Sequence, residues 1–185
     1  MSIATRTGDT GMTGLMFNRR VSKCHPRVEA YGSVDELNAA IGMARATAEQ
    51  EFVSARLLAI QSDLVLLMGE LATLVEDLPR YVKDGFKLVT PEMTARLDEL
   101  VKLIESENIS FKGWATPGGT VNAAALDVAR TTCRRAERRV CALQEAGQLE
   151  NPEIIIYLNR LSDVLWLLAR WVETQESSRT HDRIV

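Results

Sequence analysis

Apolar residues along most of the chain recur at steps of three and four, which is the spacing of a helix with one buried face. The clearest row lies in residues 51–76, where leucine, isoleucine and valine return with that period. Similar patterns predict four further helices, over residues 26–49, 91–107, 120–146 and 153–176. No stretch shows the short alternation bounded by turns that is typical of a strand. We therefore predict an all-α fold, an antiparallel five-helix bundle with a four-helix-bundle-like core.

Residue types that begin helices stand at three of these boundaries. Thr90 precedes a proline, Thr120 follows a glycine pair, and Asn151 precedes another proline. A hydroxyl or amide oxygen at such a position can accept from the free N–H groups of the first turn, and proline suits the first helical residue. Residues 77–89 contain a proline and a glycine and predict a break between the second and third helices.

The chain of 185 residues is long enough to bury a sizeable core, and no repeat, linker or low-complexity tract divides it. We predict one domain over residues 1–185. Within it, residues 1–25 are predicted to be irregular because glycine and threonine favour turns. Residues 26–176 form the helical bundle, and residues 177–185 are predicted to be a frayed tail.

The charge balance excludes a general affinity for nucleic acid or an anionic membrane. Lys and Arg number 22 and Asp and Glu number 25, so the formal charge is −3. The most apolar stretch, residues 57–75, is interrupted by Gln61, Asp63 and Glu70, so no membrane span is predicted. Three cysteines without a C-x-x-C pair favour neither a disulfide framework nor zinc, and they predict a reducing, cytoplasmic location.

The first candidate site is the glycine- and threonine-rich start of the chain. Its chemistry-bearing residues are Thr5, Arg6, Thr7, Gly8, Asp9 and Thr13. Glycine lets the backbone approach a ligand, N–H and hydroxyl groups suit phosphate oxygens, and an acid there can hold Mg²⁺ directly or through water. The loop is not a Walker A motif, because no lysine follows its last glycine. A flexible tail is an equally compatible interpretation.

The second candidate is a run of five arginines within residues 130–139. At 100° per residue, Arg130, Arg134, Glu137 and Arg138 share one helix face, beside an apolar stripe that predicts packing. One interpretation is a solvated face on which Glu137 pairs with a neighbouring arginine. The other is an anion site, because self-repulsion among these cations favours a polyphosphate partner.

The third and fourth candidates lie on the fifth and first helices. Asn159, Asp163, Trp166 and Arg170 form one narrow polar stripe along an otherwise apolar helix. Such a stripe faces either solvent or a polar site and partner subunit. Residues 27–38, preceded by Lys23, contain Gly32 inside a predicted helix, which hints at close approach by a neighbour.

Histidine-dependent chemistry is excluded by the positions of the only two histidines, His25 and His181. Neither lies in a Glu-x-x-His pattern, so a ferritin-like di-iron bundle is not expected. A Cys–His or Ser–His nucleophilic pair would need one of these two histidines, and both lie at the ends of segments. Nothing in the sequence is typical of general acid–base catalysis.

Six motifs, taken in order, resemble the PduO-type ATP:cob(I)alamin adenosyltransferases, also called corrinoid adenosyltransferases. The likeness covers nearly the whole chain. It comprises the T-x-T-G-D-x-G-x-T start, Lys23, the R-V-E-A-Y-G-x-V-D-E-L-N block at 27–38, the P-G-G loop at 117–119, the A-R-x-x-x-R-R-A-E-R block at 129–138 and the L-N-R-L-S-D block at 158–163.

The resemblance implies a five-helix bundle that assembles as a homotrimer, with ATP between neighbouring subunits. It implies transfer of the 5′-deoxyadenosyl group of MgATP to the cobalt of reduced cobalamin, giving adenosylcobalamin and triphosphate. Cob(I)alamin is itself a strong nucleophile, so the protein has only to orient the reactants and stabilise the leaving group. Further partners implied are a flavin-dependent reductase and an adenosylcobalamin-dependent enzyme.

Roles are carried over by the same resemblance. The residues matched to ATP binding are Thr5, Arg6, Thr7, Gly8, Asp9, Thr13, Lys23, Arg134, Arg135, Glu137, Arg138 and Asn159, with Glu137 also matched to Mg²⁺. Asp35 and Arg130 resemble a pair that bridges subunits near the corrinoid, and Asp163 a further site residue. Trp114 stands where the family often has phenylalanine, an aromatic that helps displace the lower axial ligand of cobalt. Arg6 replaces a frequent lysine.

Two other functions remain open at this stage. A noncatalytic relative that binds and delivers ATP or adenosylcobalamin would keep the phosphate-binding residues. A purely structural or interaction bundle would bind no ATP.

Overall fold

The computed structural model describes residues 4, 6–107, 109 and 115–182. Among them are six α-helices and one two-stranded antiparallel sheet. The strands are β1 (Met12–Gly14) and β2 (Arg20–Ser22), and the helices are α1 (Pro26–Ala46), α2 (Glu51–Leu71), α3 (Leu78–Lys83), α4 (Pro91–Glu105), α5 (Val121–Glu145) and α6 (Glu153–Asp182). The five long helices confirm the predicted all-α bundle.

The long helices pack side by side around one continuous apolar core. α1 lies between α2 and α5, and α6 lies between α5 and α4. The predicted packing stripe of α5 is fully buried at Ala129, Cys133, Ala136 and Val140. The apolar side of α6 is buried from Ile154 to Val172. Because both stripes face the same interior, the charged face of α5 and the polar stripe of α6 are brought to neighbouring surfaces.

Side-chain caps begin three helices. The Thr120 hydroxyl accepts from Ala123 N at 3.1 Å, and Asn151 Oδ1 accepts from Glu153 N at 3.0 Å. His25 Nδ1 accepts from Arg27 N at 3.1 Å at the start of α1. Thr90 occupies the N-cap position of α4, although its side chain makes no capping bond there. The predicted helix starts are confirmed.

The prediction that residues 1–25 contain no strand was wrong. β1 and β2 pair in register, with Thr13 opposite Val21. The turn between them places Phe17 and Asn18 in the left-handed backbone region, at φ 58° and 59°. Strands of three residues are too short to show a two-residue alternation, so the sequence pattern gives no sign of them.

Contacts with α3 and the segment before it hold this hairpin on the bundle. Arg19 donates to both oxygens of Asp77, at 2.8 and 2.9 Å, and the Arg80 guanidinium lies 4.2 Å from the centre of the Phe17 ring. Met16 N donates to Ala72 O at 3.0 Å. The hairpin is therefore fixed to the end of α2 by side chains that lie about 60 residues further along the chain.

Two other predictions need correction, and a third is not tested by a single chain. The segment 77–89 contains α3 rather than an uninterrupted break. α6 continues to Asp182, so the helix does not end near residue 176 as predicted. A Cβ placed on Gly32 would meet no atom within 4 Å among the described residues, so no neighbour within the described chain explains that glycine.

Two carboxylates connect α2 to the rest of the bundle, Glu70 being buried and Asp63 partly exposed. Asp63 accepts from Arg96 on α4 at 2.9 Å and from the Tyr157 hydroxyl on α6 at 3.1 Å. Glu70 accepts from Val89 N at 2.6 Å and from Asn151 Nδ2 at 2.9 Å, and burial raises the pKa of its carboxyl group. These bonds use polar groups of α2 inside the protein, where leaving them unpaired would cost free energy.

By length and composition alone, α2 is the one described helix that could cross a membrane. Its Leu57, Leu64 and Leu71 are nevertheless fully buried in the core of the bundle, and Glu70 is bonded there as well. Core helices of globular proteins have the same composition, so this feature is weak evidence for a span.

Candidate nucleotide and corrinoid site

The N-terminal loop folds back on the hairpin. Gly11 N donates to Gly8 O at 3.1 Å, and Lys23 N donates to Gly11 O at 2.9 Å. Arg20 Nη2 donates to the Thr7 carbonyl at 2.9 Å. These bonds give the described part of the loop a defined path along the hairpin. Thr5 lies outside the described residues.

Lys23 and Gly8, predicted from separate motifs, are brought together. A Cβ on Gly8 would lie 3.1 Å from both Cε and Nζ of Lys23. The lysine side chain therefore runs over bare backbone, and a larger residue at position 8 would displace it. A cation lying over a glycine of a loop is an arrangement that suits phosphate oxygens. Arg6, Asp9 and Thr13 lie on the same loop or on β1, with Arg6 and Asp9 exposed.

The exposed face of α5 carries the arginine run. Arg134 and Arg138 are exposed. Arg135 forms an ion pair with Glu36, and Arg139 Nε lies 3.2 Å from Glu29 Oε1, both acids belonging to α1. Two of the five arginines thus have acidic partners on the neighbouring helix α1. These acids offset part of the repulsion among the arginines, so that repulsion alone is a weaker argument for an anion site.

Glu137 and Asn159 are in direct contact. Asn159 Nδ2 donates to Glu137 Oε1 at 3.0 Å, and this bond joins α5 to α6 beside the exposed arginines. The Glu137 carboxylate thus accepts a hydrogen bond from an amide on the neighbouring helix. The interpretation of a solvated face paired Glu137 with a nearby arginine instead. Two residues that the resemblance assigned to ATP are therefore held together on one surface.

Arg130 lies on the same helix, one turn before Arg134. Its Nε donates to Asp127 Oδ1 at 3.0 Å, and its side chain is 25% exposed. Asp35 is exposed on α1. The predicted bridge between Asp35 and Arg130 runs between two subunits, and this single chain shows only that Arg130 already has one carboxylate partner of its own.

Asp163 and Trp166 border a groove between α4 and α6. The groove has a volume of about 350 Å³ and is also lined by Val101, Glu105, Arg160 and Leu167. Arg160 pairs with Asp98 on α4, and its Nε lies 3.9 Å from Asp163 Oδ2. Asp163 itself is exposed, so it is available to a ligand in that groove.

The polar stripe of α6 is not uniformly exposed. Arg170 is 5% exposed and bonds to Asp127, and it lies beside the half-buried Trp166. Sequence analysis placed Arg170 on the stripe but missed Asp127, although its i,i+3 spacing from Arg130 was a usable signal. Trp114 lies outside the described residues. In the P-G-G turn that follows, Gly118 has φ +113°.

One further cavity lies away from every predicted site residue. It occupies about 260 Å³ between α2 and α4 and is lined mainly by Ile60, Leu97, Leu100, Leu103, Arg56 and Arg96. The thiol of Cys133 is buried and donates to Leu158 O at 3.2 Å, and burial raises its pKa. Neither feature offers a reactive group to the surface formed by α5, α6 and the N-terminal loop.

Comparison with known proteins gives a consistent result. Residues 3–172 match the family described as cobalamin adenosyltransferase. A corrinoid adenosyltransferase of Bacillus subtilis is 38% identical over 179 residues, covering 95% of this chain and 88% of the relative. A cobalamin adenosyltransferase of Cupriavidus metallidurans is 42% identical over 169 residues, covering 91% and 86%.

Solved structures give the same result for the fold. A phenylalanine-to-alanine variant of the PduO-type ATP:corrinoid adenosyltransferase from Lactobacillus reuteri, complexed with cobalamin and ATP, superposes with a TM-score of 0.87. It is 34% identical, and the match covers 95% of this chain and 96% of that one. An arginine-to-lysine variant of that enzyme, complexed with ATP, has a TM-score of 0.85 at 34% identity, covering 95% and 96%.

Proposed function

Because the chain belongs to the cobalamin adenosyltransferase family, we propose that its N-terminal loop, the arginine face of α5 and the start of α6 form an ATP site. The protein transfers the 5′-deoxyadenosyl group of ATP to the cobalt of reduced cobalamin, giving adenosylcobalamin and triphosphate. The observation that carries the assignment of the site is the Glu137–Asn159 contact, which places both side chains beside Arg134 and Arg138.

The reaction requires no side chain to act as the nucleophile. The Co(I) electron pair forms the bond to C5′, while the bond from C5′ to the triphosphate oxygen breaks and its electrons leave with the triphosphate. Negative charge therefore develops on the leaving oxygen, and fixed cations stabilise that charge. Arg134 and Arg138 on α5, and Lys23 above Gly8, are suited to this role.

The full set proposed for ATP binding extends from the loop to α6. It comprises Thr5, Arg6, Thr7, Gly8, Asp9, Thr13, Lys23, Arg134, Arg135, Glu137, Arg138 and Asn159. Arg135 also has a structural role, because its ion pair with Glu36 joins α5 to α1 next to the proposed site.

Mg²⁺ would be held mainly by the substrate. This ion takes one or two carboxylates together with phosphate oxygens and water. Glu137 offers one carboxylate, already oriented by Asn159, and no group of three or more metal-binding residues is gathered among the described part of the chain. That donor set fits a metal that arrives with ATP, where it offsets phosphate charge.

We propose a homotrimer in which each ATP site lies between neighbouring subunits. The support is surface chemistry: Val121 and Val128 on α5 are 76% and 54% exposed, and Gly32 and Asp35 lie open on α1. Asp35 would reach Arg130 of a neighbouring subunit. A monomer that sediments as such at micromolar concentration and still turns over would contradict this arrangement.

The corrinoid side of the site is proposed to include Asp163, Arg130 and Trp114. A flavin-dependent reductase would supply the electrons that produce Co(I), and an adenosylcobalamin-dependent enzyme would take up the product. All three cysteines are free thiols, which fits the reducing cytoplasm in which we place this reaction.

The deciding experiment mixes the protein with chemically reduced cobalamin and MgATP and follows the cobalt–carbon product by its absorption spectrum. Arg134→Ala is expected to slow product formation, whereas Arg56→Ala, an exposed arginine on α2, is not. ATP binding without any product would support a noncatalytic delivery protein instead. Absence of both would leave only a structural bundle.

A further inference from the structure

The carboxylate of Asp127 on α5 accepts from two guanidinium groups, one at each of its oxygens. Asp127 Oδ1 accepts from Arg130 Nε at 3.0 Å, and Oδ2 accepts from Arg170 Nη2 on α6 at 2.6 Å. The side chains of Asp127 and Arg170 are both 5% exposed. A buried ion pair is a poor source of stability but holds its members in one geometry, because moving either leaves an uncompensated charge.

A second carboxylate continues the contacts along α6. Glu173 Oε2 lies 3.1 Å from Arg170 Nε, and Arg170 Nη2 donates to Glu173 Oε1 at 3.3 Å. The charges of these side chains alternate in sign along the contacts, which run across two helices in the order Arg130, Asp127, Arg170 and Glu173. Two positive and two negative groups balance, so the set of four carries no net charge.

The set ends against the backbone of the P-G-G turn. A Cβ on Gly119 would lie 2.9 Å from Glu173 Oε1 and 3.2 Å from its Cδ. Gly119 immediately precedes Thr120, which caps α5. The carboxylate of Glu173 therefore packs on the turn where the chain enters α5, at the opposite end of the set from Arg130.

We propose that Asp127, Arg170 and Glu173 are positioning residues that hold Arg130 and the turn at Pro117–Gly119 in a fixed relation, and that they serve the corrinoid side of the site. The inference rests on the proposed function, in which Arg130 contacts the corrinoid side. The contacts that define the ATP side, Glu137 with Asn159 and Lys23 over Gly8, include no member of this set.

Asp127→Asn is the test, because it keeps the shape and one acceptor but removes the charge. Misplacement of an orienting side chain by about 1 Å lowers turnover by up to about 100-fold. We expect KM for cob(I)alamin to rise about tenfold or more, with KM for ATP within about twofold of the wild type. The electron paramagnetic resonance signal of four-coordinate Co(II), recorded with cob(II)alamin and MgATP, is expected to weaken.

Two further variants separate positioning from stability. A methyl group at Gly119→Ala would push the flexible end of Glu173 away. This variant should also raise KM for cob(I)alamin and weaken the Co(II) signal. It keeps the inference testable if Asp127→Asn does not fold. Asp63→Asn is the matched control, since Asp63 also joins an arginine and a second helix but lies on α2. It should lower the thermal midpoint and leave both KM values unchanged.

The possible outcomes are distinct. Equal rises in both KM values for Asp127→Asn and Gly119→Ala, or unchanged values with only a lower thermal midpoint, would show a purely structural role and overturn the inference. Absence of a cobalt–carbon product with the wild-type protein would instead overturn the proposed function, whatever the variants do.

Discussion

Asn159 Nδ2 donates to Glu137 Oε1 across 3.0 Å, so a side chain of α6 determines where the carboxylate of α5 points. Glu137 is the only acid in the arginine-rich stretch 130–139. Without its amide partner, this carboxylate would be free to turn toward Arg134, three residues earlier on the same helix. We therefore expect the relation between the two helices to control how many cations remain available to phosphate at the proposed site.

Asn159→Ala should weaken MgATP binding by about tenfold, because a hydrogen bond to a charged group contributes about 1.5–3 kcal/mol. Isothermal titration of the protein with MgATP measures this effect. Gln61→Ala serves as the control, since Gln61 also donates through its amide, to Asn38 O at 3.1 Å, but does so on α2. Equal affinities for wild type and Asn159→Ala would show that the amide does not orient Glu137 for the nucleotide.

Arg134→Ala should abolish most of the thermal stabilisation that MgATP gives the wild-type protein. A ligand that binds only the native state stabilises it by about 2.7 kcal/mol at a concentration of 100 times Kd. The melting midpoint measured with and without MgATP reports this difference. Equal midpoints for the wild type under both conditions would contradict the phosphate site, and Arg56→Ala should respond to MgATP as the wild type does.

Asp35→Asn and Arg130→Ala should each reduce turnover with reduced cobalamin more than they weaken ATP binding. Each change should also exceed the effect of about 0–1 kcal/mol that is usual for surface ion pairs. Arg130→Ala should have the larger effect on stability, because it also removes a partner of the buried Asp127. A double-mutant cycle tests direct coupling, and additive effects would exclude it.

Asp77→Asn should lower stability near pH 7 and reduce its loss in acid. Hydrogen bonds from Arg19 hold the pKa of the Asp77 carboxyl below its ordinary value. The ionised form therefore stabilises the fold above the ordinary carboxyl pKa of about 4, and this contribution disappears as the pH falls through the lowered pKa. Thermal midpoints at pH 7 and at decreasing pH measure it. Asp84→Asn, at the looser 3.6 Å pair with Arg80, is the control.

Trp114→Ala should retain MgATP binding and much of the activity with pre-reduced cob(I)alamin. It should lose activity when cob(II)alamin has to be reduced on the enzyme, because an apolar ring beneath the corrin would exclude the lower axial ligand. Assays started from Co(I) and from Co(II) separate the two steps. Equal losses in both assays, together with a lower melting midpoint, would indicate that Trp114 only anchors its loop.

Hydrophobic periodicity was sufficient to predict the five long helices. Each of them buries one apolar stripe, and a buried stripe requires apolar residues at every third or fourth position of that helix's own sequence. The hairpin was not predictable in this way, because its stability depends on contacts such as Arg19 with Asp77, which are 58 residues apart. α3 is too short to show a helical period, and it lies within the segment 77–89 whose proline and glycine predicted a break.

The candidate site shows the same division. Helical spacing placed Arg134, Glu137 and Arg138 on one face, and the structure retains that grouping. The pairs Arg135 with Glu36 and Arg139 with Glu29 depend on α1 and α5 being neighbours, which no local pattern encodes. Gly32 suggested a close contact, and the described part of the chain provides none.

Phe17 and Asn18 bear on when the nucleotide loop becomes ordered during folding. Left-handed backbone costs a residue with a side chain about 1–2 kcal/mol, and a two-stranded ribbon is marginal in water on its own. The Phe17 ring recovers stability only after Arg80 is in place, which requires the end of α2 and α3 to have formed. We therefore expect the hairpin to form after those elements, so that the N-terminal loop becomes ordered only in a completed bundle. With the N-terminal loop in the proposed ATP site, we expect ATP to bind only chains whose bundle is complete.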